Sequence, residues 1–253
     1  MATDARPGRL RLDQLVLARE LAPSRRQAQA LILAGQILVD EQKLTKPGQQ
    51  VNSDAVLRRL GEPPRFASRA GLKLEAALDH FQMDVRGRVA LDVGSSTGGF
   101  TDCLLQRGAA RVHAVDSGTH QMIWRLRSDP RVHLLEKTNA RYLQPADIGE
   151  PATLLTMDVS FISVTLLLPA LLPLLAPAAD LVILVKPQFE AGRAQVGKGG
   201  IIRDESVRLA AVEKVRAALH STGTSVLGFL PSPVLGADGN QEYLLHATLP
   251  SLS

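Results

Sequence analysis

LDVGSSTGGFTDCLL, residues 91–105, joins an apolar run to a helical pattern through a turn that contains three glycines. Gly94, Gly98 and Gly99 let the backbone take a positive φ angle and approach a ligand closely, because glycine has no Cβ atom. A helix that follows such a turn presents free backbone N–H groups at its N-terminus. The segment therefore predicts a strand, a ligand-binding turn and a helix.

Apolar runs alternate with helical patterns along the rest of the chain on both sides of this turn. They predict seven strands, at residues 89–93, 112–116, 132–135, 153–158, 181–186, 225–230 and 242–248. Strands that alternate with helices build a mainly parallel sheet whose two faces are both covered. The pattern therefore predicts an α/β fold.

The glycine spacing differs from the dinucleotide-binding pattern G-x-G-x-x-G. Asp92 stands two residues before the first glycine, where an acid suits a ligand with a positively charged amino group, such as the methionine part of S-adenosylmethionine. Asp116 ends the next predicted strand, where a carboxylate can bind both ribose hydroxyls of an adenosine. An NAD or nucleotide enzyme of similar fold is the alternative.

The expected cofactor site combines this turn with Asp116 and the segment 137–141, which follows the third strand and would cover an adenine. The candidate residues are Asp92, Gly94, Ser95, Thr97, Gly98, Gly99, Phe100, Asp116 and Asn139.

Polar residues at the ends of apolar runs are candidates for chemistry, because ligands bind outside the carboxyl ends of parallel strands. Asp158 in MDVSFIS and Lys186 in LVKPQFE stand at such ends, Lys73 lies in SRAGLKLEAAL, and Glu242 lies in GNQEYLLH. Transfer of a methyl group to a ribose hydroxyl requires that the hydroxyl be oriented and lose its proton. A lysine held by carboxylates can serve both purposes. Each residue taken singly is equally compatible with a structural role.

The positive charge of the chain is concentrated in its first quarter. Residues 1–60 contain ten Lys and Arg against six acids, whereas residues 61–253 contain nineteen of each. A local basic excess is typical of a phosphate-binding surface.

The pattern of residues 1–60 also predicts a small domain of two helices and a hairpin. Residues 9–20 have a mostly helical pattern, and Ser24 is a suitable N-cap for a second helix that ends at Gly35. Strands are expected within residues 36–42 and 51–57. The cluster Gly61-Glu62-Pro63-Pro64 indicates a linker, so the predicted division is a first domain at 1–60, a linker at 61–68 and a catalytic domain at 69–253.

Residues 11–51, RLDQLVLARELAPSRRQAQALILAGQILVDEQKLTKPGQQV, resemble the ribosomal-protein-S4-type RNA-binding domain. The resemblance implies an RNA-facing edge formed by Arg11, Ser24, Arg25, Arg26, Gln29 and Lys43. A helical hairpin for dimerisation or docking is the alternative.

Over almost its whole length the chain resembles the TlyA family of haemolysin-named rRNA methyltransferases, which have an FtsJ-like catalytic domain. SRAGLKLEAAL, LDVGSSTGGFTDCLL, MDVSFIS, LVKPQFE, VGKGGIIRD and GNQEYLLH support this resemblance. It implies a Rossmann-like class I methyltransferase with a mainly parallel seven-stranded sheet whose last strand is antiparallel. It also implies S-adenosylmethionine as cofactor, and ribosomal RNA or ribosomal subunits as partner, modified at a cytidine 2′-hydroxyl. The implied catalytic tetrad is Lys73, Asp158, Lys186 and Glu242.

Basic residues of the VGKGGIIRD region are candidates for a mobile loop that contacts RNA phosphates, with an ordinary surface loop as the alternative. They are Arg193, Lys198 and Arg203.

Other classes of protein fit this sequence less well. The single cysteine, Cys103, excludes an intramolecular disulfide framework and is expected to be a buried small residue, and the scattered histidines predict no metal site. The N-terminal residues lack the apolar stretch of a secretory signal, which favours a cytoplasmic location. The apolar run 164–185 contains three prolines and Asp180, so it predicts a buried helix and a central strand rather than a membrane span.

Trp124 is interpreted as a core residue rather than a base-stacking platform. The alternatives to an enzyme are a non-catalytic RNA-binding or ribosome-assembly factor and, less consistent with the sequence, a membrane-acting haemolysin. The sequence is compatible with either a monomer or a homodimer.

Overall fold

The fold is that of a computed structural model, which describes residues 8–61, 64–192, 195–236 and 239–251. The chain divides into two compact units, Met1–Arg65 and Phe66–Ser253.

The first unit packs two helices against short strands. Its elements are β1 (Arg9–Arg11), α1 (Leu12–Ala18), α2 (Arg25–Leu33), β2 (Ile37–Val39), β3 (Gln42–Lys43), β4 (Gln50–Asn52) and β5 (Leu57–Arg59). β1 pairs antiparallel with β4, while β3, β2 and β5 form a three-stranded sheet in that order. Leu12, Ile32 and Ile37 are fully buried in a core of aliphatic side chains.

Two local expectations for this unit differ from the structure. The first three residues of the helix predicted over residues 9–20 instead form strand β1. Leu10 pairs there with Val51, a partner far along the chain that local periodicity cannot indicate. The strand predicted over residues 51–57 is instead two strands, which belong to different sheets. Helix α2 begins as predicted, because the Ser24 hydroxyl accepts a hydrogen bond from the Gln27 N–H at 3.2 Å.

A buried carboxylate organises the polar surface of the first unit. Asp13 is fully buried, yet it accepts hydrogen bonds from Arg11 Nε (3.0 Å), Arg25 Nε (3.0 Å) and Gln29 Nε2 (2.9 Å). The hydrogen bonds from Arg11 hold the pKa of Asp13 well below its ordinary value, against the opposing effect of burial. One carboxylate therefore orients three of the side chains that the sequence predicts to face RNA.

The second unit contains one large sheet. Its elements are α3 (Ala70–His80), β6 (Val89–Val93), α4 (Gly99–Gln106), β7 (Arg111–Val115), α5 (Trp124–Arg127), β8 (Val132–Leu135), α6 (Pro145–Ile148), β9 (Ala152–Met157), α7 (Leu168–Leu171), β10 (Leu175–Val185), α8 (Pro187–Glu190), α9 (Glu205–His220), β11 (Ser225–Pro231) and β12 (Tyr243–Thr248). The strand order is β11-β12-β10-β9-β6-β7-β8, and β12 runs in the direction opposite to that of the other six strands. This confirms the predicted fold class.

Apolar side chains cover both faces of the sheet. In β10, Leu181, Ile183 and Val185 belong to the core that includes residues of α7 and α9, whereas Val182 and Leu184 belong to the core beneath α3 and α4. This alternation explains why the strand is apolar at every position rather than at every second one.

The long apolar run forms a short helix and a strand. β10 begins at Leu175, earlier than the predicted start at residue 181, and its pairing with β9 shifts register between Leu175 and Asp180. The irregularity accommodates Pro177 and a positive φ of 57° at Ala178. Among the described residues, no helix has both the length and the apolarity needed to cross a membrane.

The interpretation of Trp124 as a core residue is wrong, because its side chain is 76% exposed. Leu126 takes the buried position on the same short helix, where it packs against Gly98. Cys103 is fully buried, as expected.

We expect Asp13→Asn to weaken the first unit, because the change leaves two guanidinium groups converging on a neutral side chain. Since the pKa of Asp13 is lowered, its stabilising contribution is complete at neutral pH and is lost only as the pH falls through the acidic range. Hydrogen exchange of the full-length chain at pH 7 should show faster exchange in α1 and α2 and unchanged exchange in the large sheet. Asp54→Asn, at an exposed carboxylate of the same unit, is the control. Equal protection in the two variants would contradict the expectation.

Candidate active site

The glycine-rich turn lies where the ends of β6 and β9 meet. Gly94 follows β6 with a φ of 87°, and a Cβ atom at this position would collide with the backbone carbonyl of Asp158, which follows β9. Gly98 has a φ of 96°, and a Cβ there would strike Leu126. Glycine is therefore required at both positions by backbone conformation and by space.

A pocket of about 500 Å³ opens beside this turn, at the carboxyl ends of β6, β7 and β9. Asp116 forms part of its wall and accepts hydrogen bonds from the backbone N–H groups of Ser96 (2.8 Å) and Gly118 (2.7 Å). These two bonds fix the carboxylate without using all of its acceptor positions. We refer to this space as the first pocket.

Three of the nine predicted cofactor residues, Gly94, Asp116 and Asn139, line the first pocket. The other six lie in or beside the turn but do not line the first pocket: Asp92, Ser95, Thr97, Gly98, Gly99 and Phe100. Sequence reasoning missed other lining residues, among them Ser96, Ser117, Gln121 and Thr138. The spacing of the turn identified its glycines, but it gave no indication of which neighbouring side chains face the space.

Asp92 is enclosed beneath the turn. Its side chain is fully buried and accepts hydrogen bonds from the hydroxyls of Thr101 (2.6 Å) and Thr156 (2.9 Å). Burial raises the pKa of Asp92 to about 6, although both hydroxyls favour the charged form. The carboxylate therefore connects β6, α4 and β9 under the glycine-rich turn.

A second pocket, of about 490 Å³, adjoins the first and shares Asp158, Ser160 and Phe161 with it. The four side chains that the sequence predicts to be catalytic all line it: Lys73, Asp158, Lys186 and Glu242. Sequence reasoning missed several other lining residues, including Arg69, Ser160, Phe161, Gln188, Phe189 and Asn240.

The four predicted catalytic side chains form two ion pairs. Lys73 Nζ lies 2.5 Å from Glu242 Oε2, and Lys186 Nζ lies 2.6 Å from Asp158 Oδ1. At most 16% of any of these side chains is exposed. Because burial of charge is costly even when it is paired, such a cluster is weak evidence for a stabilising role and points to a functional site.

Phe161 stands between the two pockets with its side chain 92% exposed. Its backbone has a φ of 66°, which is strained for a residue with a bulky side chain. The ring centroid lies 5.2 Å from that of Phe189 in a tilted arrangement. An exposed aromatic ring held in a strained backbone conformation indicates a ligand contact.

The VGKGGIIRD loop borders the second pocket through Val196 and Gly200. The Asn240 side chain fixes it, because Nδ2 donates to the Gly200 carbonyl (2.9 Å) and Oδ1 accepts from the Ile202 N–H (3.0 Å). Of the predicted RNA contacts in this region, Arg203 is exposed, while Arg193 and the side chain of Lys198 lie outside the described residues.

The sequence matches the FtsJ-like methyltransferase family over residues 66–249 and the S4 domain over residues 10–57. The chain belongs to the FtsJ-like methyltransferase family. It is 48% identical over 242 residues to YqxC of Bacillus subtilis, covering 95% of this chain and 86% of that protein. It is 45% identical over 238 residues to the 16S/23S rRNA (cytidine-2′-O)-methyltransferase TlyA of Mycobacterium tuberculosis, covering 94% and 89%.

A solved structure has the same fold as this FtsJ-like methyltransferase. A haemolysin-named protein from Streptococcus thermophilus aligns with a TM-score of 0.74 and 42% identity, covering 97% of this chain and 90% of that one. The resemblance to the TlyA family is therefore confirmed.

The S4 domain of this methyltransferase contains the six predicted RNA-facing residues of the first unit. Asp13 holds three of them, Arg11, Arg25 and Gln29, and Ser24 caps α2. Arg26 and Lys43 are exposed. Among the residues that the structure describes, no three His, Cys, Asp or Glu side chains converge to hold a metal ion.

The raised pKa of Asp92 predicts a pH-dependent stability of the methyltransferase unit. The pKa is about 6 in the folded chain against an ordinary value of 3.8, so the stabilising contribution is complete below pH 4 and is lost as the pH rises through 6. The loss is at most ~3 kcal/mol. We therefore expect Asp92→Asn to unfold at a higher temperature relative to wild type at pH 8 than at pH 4.5, measured by calorimetry. A difference that is constant with pH would contradict this.

Proposed function

We propose that this methyltransferase transfers a methyl group from S-adenosylmethionine to a ribose 2′-hydroxyl of ribosomal RNA, with a cytidine as the acceptor nucleotide. The two buried ion pairs that line the second pocket are the main support, because they offer lysine and carboxylate groups beside a space for a second substrate. The S4 domain and the rRNA (cytidine-2′-O)-methyltransferase name of the Mycobacterium tuberculosis relative support the choice of RNA and nucleotide. An rRNA substrate would place the enzyme in the cytoplasm.

The residues of the first pocket fit S-adenosylmethionine. Asp116, fixed by two backbone amides, would accept hydrogen bonds from the ribose hydroxyls, and Asn139 and Thr138 would lie beside the adenine. Gly94 lines the same pocket and would lie beside the methionine part. When bound, the cofactor supplies a methyl group on a positively charged sulfur. Asp92 would support the turn from below rather than contact the cofactor.

The second pocket would hold the acceptor nucleotide. A ribose hydroxyl is a weak nucleophile, so its oxygen must be oriented and its proton removed as the new carbon–oxygen bond forms. Lys186, held by Asp158, is the side chain we assign to the acceptor oxygen, and the proton of the hydroxyl passes to this pair. Lys73 and Glu242 would hold the ribose from the other wall, and the exposed Arg69 would contact a phosphate.

We expect Lys186→Ala to abolish methyl transfer while S-adenosylmethionine still binds, because the lysine lines the acceptor pocket rather than the first pocket. The experiment combines the purified full-length protein, unmodified bacterial ribosomal subunits and methyl-labelled S-adenosylmethionine. The modified nucleotide is then identified by mass spectrometry, and cofactor binding is measured by calorimetry. A loss of at least ~10²-fold in rate is expected for removal of a group that manages the proton.

Arg86→Ala is the matched control for this experiment, because it removes an exposed cation that pairs with Asp84 and lines neither pocket. Methylation by the Lys186→Ala variant at the wild-type rate would contradict the assignment. If the wild-type protein binds both cofactor and RNA but transfers no label, a non-catalytic RNA-binding factor would be the better description.

We also expect Phe161→Ala to raise the KM for RNA roughly 10-fold, because a base stacked on an aromatic ring is stabilised by ~1–3 kcal/mol. Leu227→Ala is the control, since this exposed apolar residue of β11 lines neither pocket. The measurement is steady-state kinetics with ribosomal subunits at saturating cofactor. Equal changes in the two variants would argue against a nucleotide contact at Phe161.

A further inference from the structure

The loop after β9 carries a third polar group at the reacting centre. Ser160 lines both pockets, and its Oγ accepts a hydrogen bond from Lys186 Nζ at 2.9 Å. Lys186 Nζ also pairs with Asp158 Oδ1 at 2.6 Å. The amino group of Lys186 therefore has two partners from one loop, two residues apart in sequence.

We propose that Ser160 is a positioning residue for methyl transfer, which fixes Lys186 Nζ so that its remaining tetrahedral position faces the acceptor hydroxyl. This inference rests on the proposed function. Nζ has three positions besides its bond to Cε, and Asp158 and Ser160 occupy two of them. The third is left for the acceptor oxygen, whose proton passes to the Lys186–Asp158 pair as the methyl group is transferred.

One partner alone would not locate this amino group. A lysine side chain contains four rotatable bonds. An ammonium group held by a single carboxylate can therefore change its orientation about that contact. Two partners in different directions fix both the place and the orientation of Nζ. Removal of the Ser160 hydroxyl leaves the ion pair with Asp158 intact but loosens the alignment on which the rate depends.

The loop itself is anchored, so the hydroxyl is held in place before a substrate binds. At one end the Asp158 N–H donates to the Val93 carbonyl (2.9 Å). At the other end the buried carboxylate of Glu190 accepts hydrogen bonds from the Ser163 hydroxyl (2.5 Å) and the Val164 N–H (2.7 Å). Lys214 Nζ lies 3.2 Å from the same carboxylate.

Ser160 is exposed, and no hydrogen bond of its side chain other than that from Lys186 is found among the described residues. Loss of this hydroxyl therefore removes little from the folded core, whereas it removes one of the two partners of Lys186. The predicted effect is on the rate of the chemical step and not on the binding of cofactor or RNA.

The test compares Ser160→Ala and Ser160→Thr in single-turnover methylation of unmodified bacterial ribosomal subunits with methyl-labelled S-adenosylmethionine. A hydrogen bond to a charged group contributes ~1.5–3 kcal/mol, so Ser160→Ala is expected to lower the saturating rate roughly 10- to 100-fold. The RNA concentration at half-maximal rate and the affinity for cofactor should stay within about two-fold. Ser160→Thr retains the hydroxyl and should recover most of the rate. Ser221→Ala, at an exposed hydroxyl that lines neither pocket, is the control and should behave as wild type.

The outcomes separate this inference from the proposed function. A wild-type rate for Ser160→Ala, together with an inactive Lys186→Ala, would overturn the role of Ser160 and leave the proposed function standing. A Ser160→Thr variant that binds cofactor normally but is as slow as Ser160→Ala would also overturn it, because the hydroxyl would then not be the decisive feature. Full activity of Lys186→Ala would overturn both.

Discussion

The backbone carbonyl of Asp158 packs so closely against Gly94 that no side chain fits between them. This contact joins the loop after β9 to the turn after β6, two neighbouring parallel strands that end in register, with Val93 opposite Met157. The first pocket, beside Gly94, and the second pocket, beside the Asp158 side chain, are therefore separated by one short loop. The two pockets share a wall because the strand ends touch, and a group in one pocket lies within reach of a group in the other.

Much of this arrangement could be predicted from the sequence, because strand ends follow from apolar runs. The strands at 89–93 and 132–135 have the predicted bounds, and Asp158 and Lys186 lie at the strand ends as expected. Other features depend on partners that periodicity does not show. The pairing of Leu10 with Val51 and the exposure of Trp124 are of this kind. The same limit applies inside the site. An acid beside a glycine turn suggests a ligand contact, but only the positions of Thr101 and Thr156 place the Asp92 carboxylate beneath the turn.

The two units use buried carboxylates in opposite ways. In the S4 domain, Asp13 accepts hydrogen bonds from three side chains whose other atoms are at the surface. The buried negative charge therefore positions polar and basic groups on the exterior of the domain. In the methyltransferase unit, Asp158 and Glu242 each pair with one lysine, and both pairs face a pocket. The first arrangement stabilises the domain that contains it. In the second, the desolvation of four charges opposes folding, and the ends of three strands together with helix α3 hold the groups in place.

The reversed direction of β12 is what brings the fourth charged group to this edge. A residue that precedes a strand of a parallel sheet lies at the amino edge, far from residues that follow neighbouring strands. Because β12 runs antiparallel to β10, Tyr243 at its start pairs with Val185 at the end of β10. Glu242 and Lys186, one residue beyond that pair on each strand, therefore reach the same edge. Glu242, at the amino end of β12, therefore pairs with Lys73 of α3. The carboxyl ends of β9 and β10 supply the other ion pair, between Asp158 and Lys186. The single antiparallel strand of the sheet is in this way a requirement of the site as well as of the fold.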